Sequence, residues 1–196
     1  LQALTDLTPF LVWVVASGSL PLSMPADFYA RLACLCRERD TKLVLETTGP
    51  ALAAAMAEGV YLVKPNLGEL SELVGQPLES PAAWRAAAQG LIDQGAAQVV
   101  ALTLGHLGAV LVTREGLWCA DPLPVPVVSA VGAGDSFVGG MVWALQQDRT
   151  RVDAFAWGVA AGSATLLTAG TALCRAEDVQ RLRTQVVISA PTRLSR

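Results

Sequence analysis

The stretch Val60-Tyr-Leu-Val-Lys-Pro-Asn-Leu-Gly-Glu-Leu-Ser-Glu-Leu-Val-Gly75 changes its hydrophobic period partway along. Val60 to Val63 is a short apolar run that ends at Lys64-Pro65-Asn66, the pattern of a buried strand. From Leu67 to Val74 the apolar spacing is helical, and Gly75 supplies the stop. The same strand-then-helix unit recurs on either side. Upstream, Phe10 to Ala16 predicts a strand, Ser17-Gly18-Ser19-Leu20-Pro21 a loop, and Ala26 to Arg39 a helix with Phe28, Leu32 and Leu35 on one face. Lys42 to Glu46 predicts another strand, closed by Thr47-Thr48-Gly49-Pro50 and followed by an alanine-rich helix from Ala51 to Glu58. Downstream, Pro81 opens a helix running from Ala82 to about Gln94, and Gln98 to Leu102 is a fourth strand. This alternation predicts a parallel sheet with helices on both faces, an α/β fold in a single domain over 1–196.

From Gly108 the rhythm changes. Ala109 to Thr113 and Gly116 to Cys119 read as a hairpin, and Val125 to Val128 as an extended segment. Three helices follow: Phe137 to Leu145, Val152 to Thr168, and Ala176 to about Thr184, with a frayed tail expected from Ser189. The first of these is introduced by Ser129-Ala-Val-Gly-Ala-Gly-Asp-Ser136. Gly132, Ala133 and Gly134 carry no bulky side chain, so several backbone N–H groups can converge where the helix begins. Such a place attracts anions, because the first N–H groups lack intrahelical partners and the helix dipole adds positive potential. Asp135 in that position either is an ordinary first-turn carboxylate or takes a proton from a hydroxyl that attacks a bound phosphoryl group. In open α/β sheets ligands gather beyond the carboxyl ends of the strands. The loops at Ser17–Pro21, Glu46–Gly49, Lys64–Glu69 and Thr103–Gly108 all belong there. That agreement favours the chemical reading of Asp135.

Two of these loops carry their own signals. Asn66 and Glu69 lie three apart at a helix start and so share a face; they form either a capping box or a set of oxygen ligands for magnesium-bound water. Thr103-Leu-Gly-His-Leu-Gly108 follows a strand, and its glycines either make a plain turn or let backbone approach a nucleotide.

Composition excludes several functions. The net charge is -3 and no long basic run is present, which argues against nucleic acid as a partner. The four cysteines (Cys34, Cys36, Cys119, Cys174) form no CxxC pair and His106 is the single histidine, which argues against a structural zinc site or a histidine-dependent nucleophile. Scattered thiols fit a reducing cytosol, and no basic-then-apolar leader opens the chain, so a cytoplasmic location is expected. Ala154 to Cys174 is uncharged and contains Gly158-xxx-Gly162. Its Gly, Ala, Ser and Thr content favours a buried helix with close backbone packing over a membrane span. Leu1 is not a methionine, from which a processed or truncated product is expected.

Taken in order, Lys64-Pro65-Asn66-x-x-Glu69, Thr103-x-Gly105-x-x-Gly108 and Val131-Gly132-Ala133-Gly134-Asp135-Ser136 resemble the PfkB (ribokinase-like) carbohydrate kinases. Gly158-Val-Ala-Ala-Gly-Ser163 and Gly170-Thr171 continue the resemblance, and Ser17-Gly-Ser-Leu-Pro21 is similar to the hexose-phosphate branch of that family. The resemblance implies a three-layer α/β/α fold with a mostly parallel sheet, here the C-terminal two thirds, lacking the N-terminal strands and lid. It implies ATP-dependent phosphorylation of a sugar-phosphate hydroxyl, fructose 6-phosphate first, with 1-phosphofructokinase or tagatose-6-phosphate kinase activity as alternatives. A non-catalytic nucleotide-binding remnant is the reading from another class.

By the same resemblance Asp135 is the base, and Gly132, Ala133 and Gly134 form the anion hole. Lys64, Asn66, Thr103, Gly105, Gly108 and Ser163 serve ATP, and Ser19 touches the phosphate of the sugar. Glu69 and Glu46 hold Mg²⁺ through water, and Ser129 and Val131 lie near a loop for a monovalent cation, of which K⁺ is the candidate. A homodimer is implied for the complete enzyme. Two departures stand out: Glu46 replaces a common Asp, and Ala130 a frequent Thr. Without lid and N-terminal strands, an exposed apolar edge and an inactive chain are expected.

Overall fold

The computed structural model describes residues 12–189. Its strands are β1 (Trp13–Ser17), β2 (Lys42–Glu46), β3 (Val60–Val63), β4 (Ala97–Thr103), β5 (Ala109–Thr113) and β6 (Gly116–Ala120). Its helices are α1 (Phe28–Glu38), α2 (Gly49–Glu58), α3 (Leu67–Val74), α4 (Pro81–Asp93), α5 (Ala133–Gln146), α6 (Arg151–Thr165) and α7 (Ala176–Arg183). The six strands form one sheet in chain order, and the first four are mutually parallel. The expected α/β fold with a mostly parallel sheet is therefore present. The strand expected from Phe10 begins at Trp13 among the described residues; Phe10 and Leu11 lie outside them. The extended segment at Val125–Val128 forms no strand, although Val128 donates its N–H to the Leu166 carbonyl at 2.8 Å. Of the tail expected to fray from Ser189, Ser189 itself is held: its N–H donates to the Cys119 carbonyl at 2.9 Å, and its hydroxyl accepts from Cys119 N–H at 2.8 Å; residues 190–196 lie outside the described residues.

By internal packing the chain divides into two compact units, one comprising residues up to Leu102 with Val112–Glu115, the other Thr103–Leu111 with the chain from Gly116 onward. In the first unit, β2, β3 and β4 bury consecutive residues (Leu43-Val44-Leu45, Leu62-Val63, Val99 to Leu102), as strands covered on both faces must. Helix starts and stops follow their local chemistry. Ser80 caps α4 by accepting from Ala83 N–H at 3.2 Å, with Pro81 at the first turn. Gly75 ends α3 in the left-handed conformation, φ 69°.

The second unit is organised by the crossing of α5 and α6. A Cβ at Gly158 would lie 2.6 Å from Met141 Cγ, and one at Gly140 would lie 2.7 Å from the Trp157 carbonyl oxygen. Gly162 meets the Ala133 carbonyl oxygen at 3.1 Å in the same sense. The small-residue stretch is thus a helix–helix contact, and no helix among the described residues is long and apolar enough to cross a membrane. Asp153 then ties the start of α6 to its neighbours: its carboxylate pairs with Arg149 at 2.9 Å and with Arg183 of α7. Both guanidinium groups stack over Trp157, 5.4 and 5.8 Å from the ring centre. Partial burial pushes the Asp153 carboxyl up, but the hydrogen bonds from Arg183 and Arg149 outweigh it and hold it below its ordinary value.

Two stability tests follow from this packing. Gly158→Ala should cost about 1–3 kcal/mol through overpacking, whereas Gly139→Ala, with nothing within 4 Å of its Cβ position, should be neutral or gain about 0.5–1 kcal/mol; thermal melts compare them. A carboxyl held low in the fold stabilises while ionised, fully above its unfolded pKa of about 3.9, and this contribution is lost as the pH falls through the folded value. Asp153→Asn should therefore cost about 1 kcal/mol at pH 7, as expected for partly exposed ion pairs, and progressively less in denaturation curves taken below pH ~4.

Candidate active site

In the first unit three parallel strands deliver their carboxyl ends side by side, since Ser17 pairs with Glu46 and Leu45 with Val63 in register. Glu46 is the last residue of β2 and Lys64 the first after β3. Lys64 Nζ lies 2.9 Å from Glu46 Oε1, with the lysine side chain 4% and the glutamate 17% exposed. The Ser17 hydroxyl donates to Glu46 Oε2 at 3.5 Å. A buried ammonium is tolerable only beside such a partner, and removing one member strands the other charge. Sequence reasoning placed Lys64 at the nucleotide and Glu46 at the magnesium but missed their pairing. The signal was present in the parallel register of β2 and β3, which a single sequence does not display.

Asn66 and Glu69 adopt the capping box: Asn66 Oδ1 accepts from Glu69 N–H at 2.9 Å, and Glu69 Oε2 accepts from Asn66 N–H at 2.8 Å. The box uses one oxygen of each side chain, so Glu69 Oε1 and the Asn66 amide nitrogen are not spent on it. Ser19 lies in an exposed loop whose preceding residue, Gly18, has φ 96°. The Gly18 N–H donates to the Glu46 carbonyl at 2.9 Å, and the Gly18 carbonyl accepts from the Thr47 hydroxyl at 3.0 Å and the Tyr29 phenol at 2.9 Å. Neither Tyr29 nor Thr47 carried a sequence signal, because a hydroxyl aimed at a backbone carbonyl has no motif.

In the second unit Gly132 caps α5 in the left-handed region, φ 77° and ψ 3°, with Ala133 and Gly134 already helical. The Ala133 N–H reaches the Ala130 carbonyl at 3.3 Å and Ser136 N–H returns to Gly132 at 2.9 Å. The first N–H groups of any α-helix point out of its end with no acceptor inside the helix, and Gly134 supplies one of them here. Asp135 stands exposed in this first turn. The Ser129 hydroxyl donates to the Gly170 carbonyl at 3.0 Å and accepts from Val131 N–H at 3.2 Å, stitching the loop before α5 to the one after α6. Ser163 is half-buried near the end of α6. Thr103 ends β4, and Gly105 opens a short turn through His106, which is exposed. Gly108 has a packing reason to be glycine: a Cβ there would stand 2.1 Å from the Ala120 carbonyl oxygen. At Gly105 the corresponding space is open.

Glu69 fits a magnesium ion held through water, with a carboxylate oxygen outside the capping box; Glu46 fits it less well, because Lys64 already neutralises it. Among the described residues no three His, Cys, Asp or Glu side chains cluster as a metal cage. All four cysteines are free thiols, and burial pushes Cys36 up to about 11.

Comparison with known proteins identifies the arrangement. Residues 9–178 match the description "pfkB family carbohydrate kinase". The chain is 43% identical over 169 residues to the ATP-dependent 6-phosphofructokinase isozyme 2 of Mycobacterium tuberculosis, covering 86% of this chain and 50% of that protein. It is 35% identical over 176 residues to the 1-phosphofructokinase of Bacillus subtilis, covering 90% and 57%. The crystal structure of phosphofructokinase-2 from Escherichia coli in complex with potassium superimposes with a TM-score of 0.88 at 36% identity, covering 94% of this chain and 61% of that one. The chain thus spans about half the length of the curated relatives it matches. With its parallel sheet, its glycine-started α5 and its Lys-Pro-Asn-x-x-Glu loop, the chain belongs to the pfkB family of carbohydrate kinases.

Proposed function

We propose that this chain is the C-terminal, nucleotide-binding and catalytic part of an ATP-dependent sugar-phosphate kinase that converts fructose 6-phosphate to fructose 1,6-bisphosphate. The observation that carries the reading is the left-handed Gly132 opening α5, with the exposed Asp135 carboxylate in the first turn of the same helix. The hydroxyl oxygen of the sugar attacks the γ-phosphorus and its proton passes to Asp135. The bond from that phosphorus to the β-phosphate bridging oxygen breaks, and ADP leaves. The backbone N–H groups of the first turn, shaped by Gly132, Ala133 and Gly134, stabilise charge on the moving phosphoryl group.

Asn66, Lys64, Thr103, Gly105, Gly108 and Ser163 hold the nucleotide, and Ser19 contacts the sugar phosphate. A magnesium ion, held through water by Glu69 and more weakly by Glu46, neutralises phosphate charge when bound. The stitch through Ser129 and Val131 borders a site for potassium, the ion with which the Escherichia coli phosphofructokinase-2 was crystallised in complex. A homodimer and a cytoplasmic location complete the proposal. 1-Phosphofructokinase activity is the second reading, because relatives of that name match at 31–41% identity.

A coupled ADP-release assay on the full-length protein, offered fructose 6-phosphate, fructose 1-phosphate and tagatose 6-phosphate in turn, decides among the substrates. Turnover should be fastest on the first and should fall by about 10²–10⁴ in Asp135→Asn, with little change in ATP affinity. Weakened ATP binding with intact turnover would remove Asp135 from its role. The Lys64–Glu46 pair gives an independent test. Lys64→Met alone should cost about 3–5 kcal/mol in chemical denaturation by leaving Glu46 uncompensated, and adding Glu46→Gln should recover much of that stability without recovering activity.

A further inference from the structure

The exposed loop from Ser17 to Pro21 is tethered chiefly through the peptide groups of Gly18. Its residues Ser17, Gly18 and Ser19 are open to solvent, yet the Gly18 carbonyl accepts two hydrogen bonds from hydroxyls of buried residues: Tyr29 of α1, 6% exposed, and Thr47 after β2, 3% exposed. A carbonyl oxygen has two lone pairs, so these two donors fill its capacity. The Gly18 N–H is separately bound to the Glu46 carbonyl. Burial pushes the Tyr29 phenol further above neutrality, where it is already a proton donor.

This has a directional consequence. A trans peptide is planar, and its C=O and N–H point opposite ways; the Gly18–Ser19 bond is trans, as no cis peptide is present among the described residues. Drawing the Gly18 oxygen towards two buried hydroxyls therefore turns the Ser19 N–H away from them. The Ser19 N–H and hydroxyl are donors of the kind that a phosphate oxygen accepts.

We infer that Tyr29 and Thr47 are positioning residues for sugar-phosphate recognition: by holding the Gly18 carbonyl they fix the Ser17–Pro21 loop, and with it the direction in which Ser19 donates. The inference rests on the reading of Ser19 as a contact to the sugar phosphate. A loop held in its binding geometry before the ligand arrives avoids the ordering cost that a free loop incurs on binding. Loss of the tether should thus weaken sugar-phosphate binding and leave the nucleotide and the chemical step alone.

Steady-state kinetics of the full-length protein with ATP and fructose 6-phosphate test this, using Tyr29→Phe, Thr47→Val and the double variant. Each single variant should raise KM for fructose 6-phosphate about 5-fold, the weight of one neutral hydrogen bond, and the double variant should raise it by more than either. kcat should stay within about 2-fold and KM for ATP should not move, with circular dichroism and melting close to those of the parent. A double variant with unchanged KM for the sugar phosphate overturns the inference while leaving the kinase reading intact, as does an equal loss in kcat or in KM for ATP. A parent protein that turns over no sugar phosphate overturns both. Tyr29→Phe retains the buried ring, so its result stands even if the double variant folds poorly.

Discussion

The closeness of α5 to α6 governs the second unit, because it decides where a helix begins. Gly158 on one helix and Gly140 on the other bring the helices to a separation at which a single methyl would collide, and at Gly162 a methyl would crowd its neighbour. Gly162 abuts the carbonyl of Ala133, the first residue of α5. The contact that packs the helices therefore also fixes the turn carrying Gly134 and Asp135. A larger residue on α6 would shift the proposed anion hole before it touched any ligand, since packed interiors transmit displacement instead of absorbing it. Glycine here contributes absence of volume, where at Gly132 it contributes access to a positive φ.

The first unit meets a different constraint, a charge that must be buried. Lys64, which follows β3, is almost wholly enclosed. Glu46 compensates it at 2.9 Å, and the Ser17 hydroxyl takes up the second carboxylate oxygen. Such pairs add little net stability but are costly to halve. Glu46 links its neighbours twice over, with its side chain on Lys64 and its carbonyl on Gly18. One residue at the end of β2 thus orders both flanking loops.

Much of the fold was legible because it follows from local rules. The limits of β2, β3, β5 and α3 agree residue for residue with the sequence reading, each bounded by a turn or a cap. The Asn66–Glu69 spacing carried two readings, and the capping box is the one that the hydrogen bonds display. It does not displace the other, since a cap consumes only half of each side chain's polar atoms. Gly108 shows the opposite case. As a glycine in a loop after a strand it invited a nucleotide, while its lack of a side chain is already accounted for by the Ala120 carbonyl, a contact between residues that only folding brings together.

What sequence alone settled was the order and type of the elements and the residues at the strand ends and the start of α5. Those depend on hydrophobic period, glycine conformational freedom and capping, all of which act within a few residues. Tertiary structure decided which polar groups meet: Lys64 with Glu46, Ser129 with Gly170, and Tyr29 and Thr47 with Gly18, joined over 11 and 29 residues. It also decided that Ser189 meets β6 at Cys119. Pairings of this kind are set by strand register and helix crossing, which bring together side chains far apart in the chain and leave no periodic trace in it.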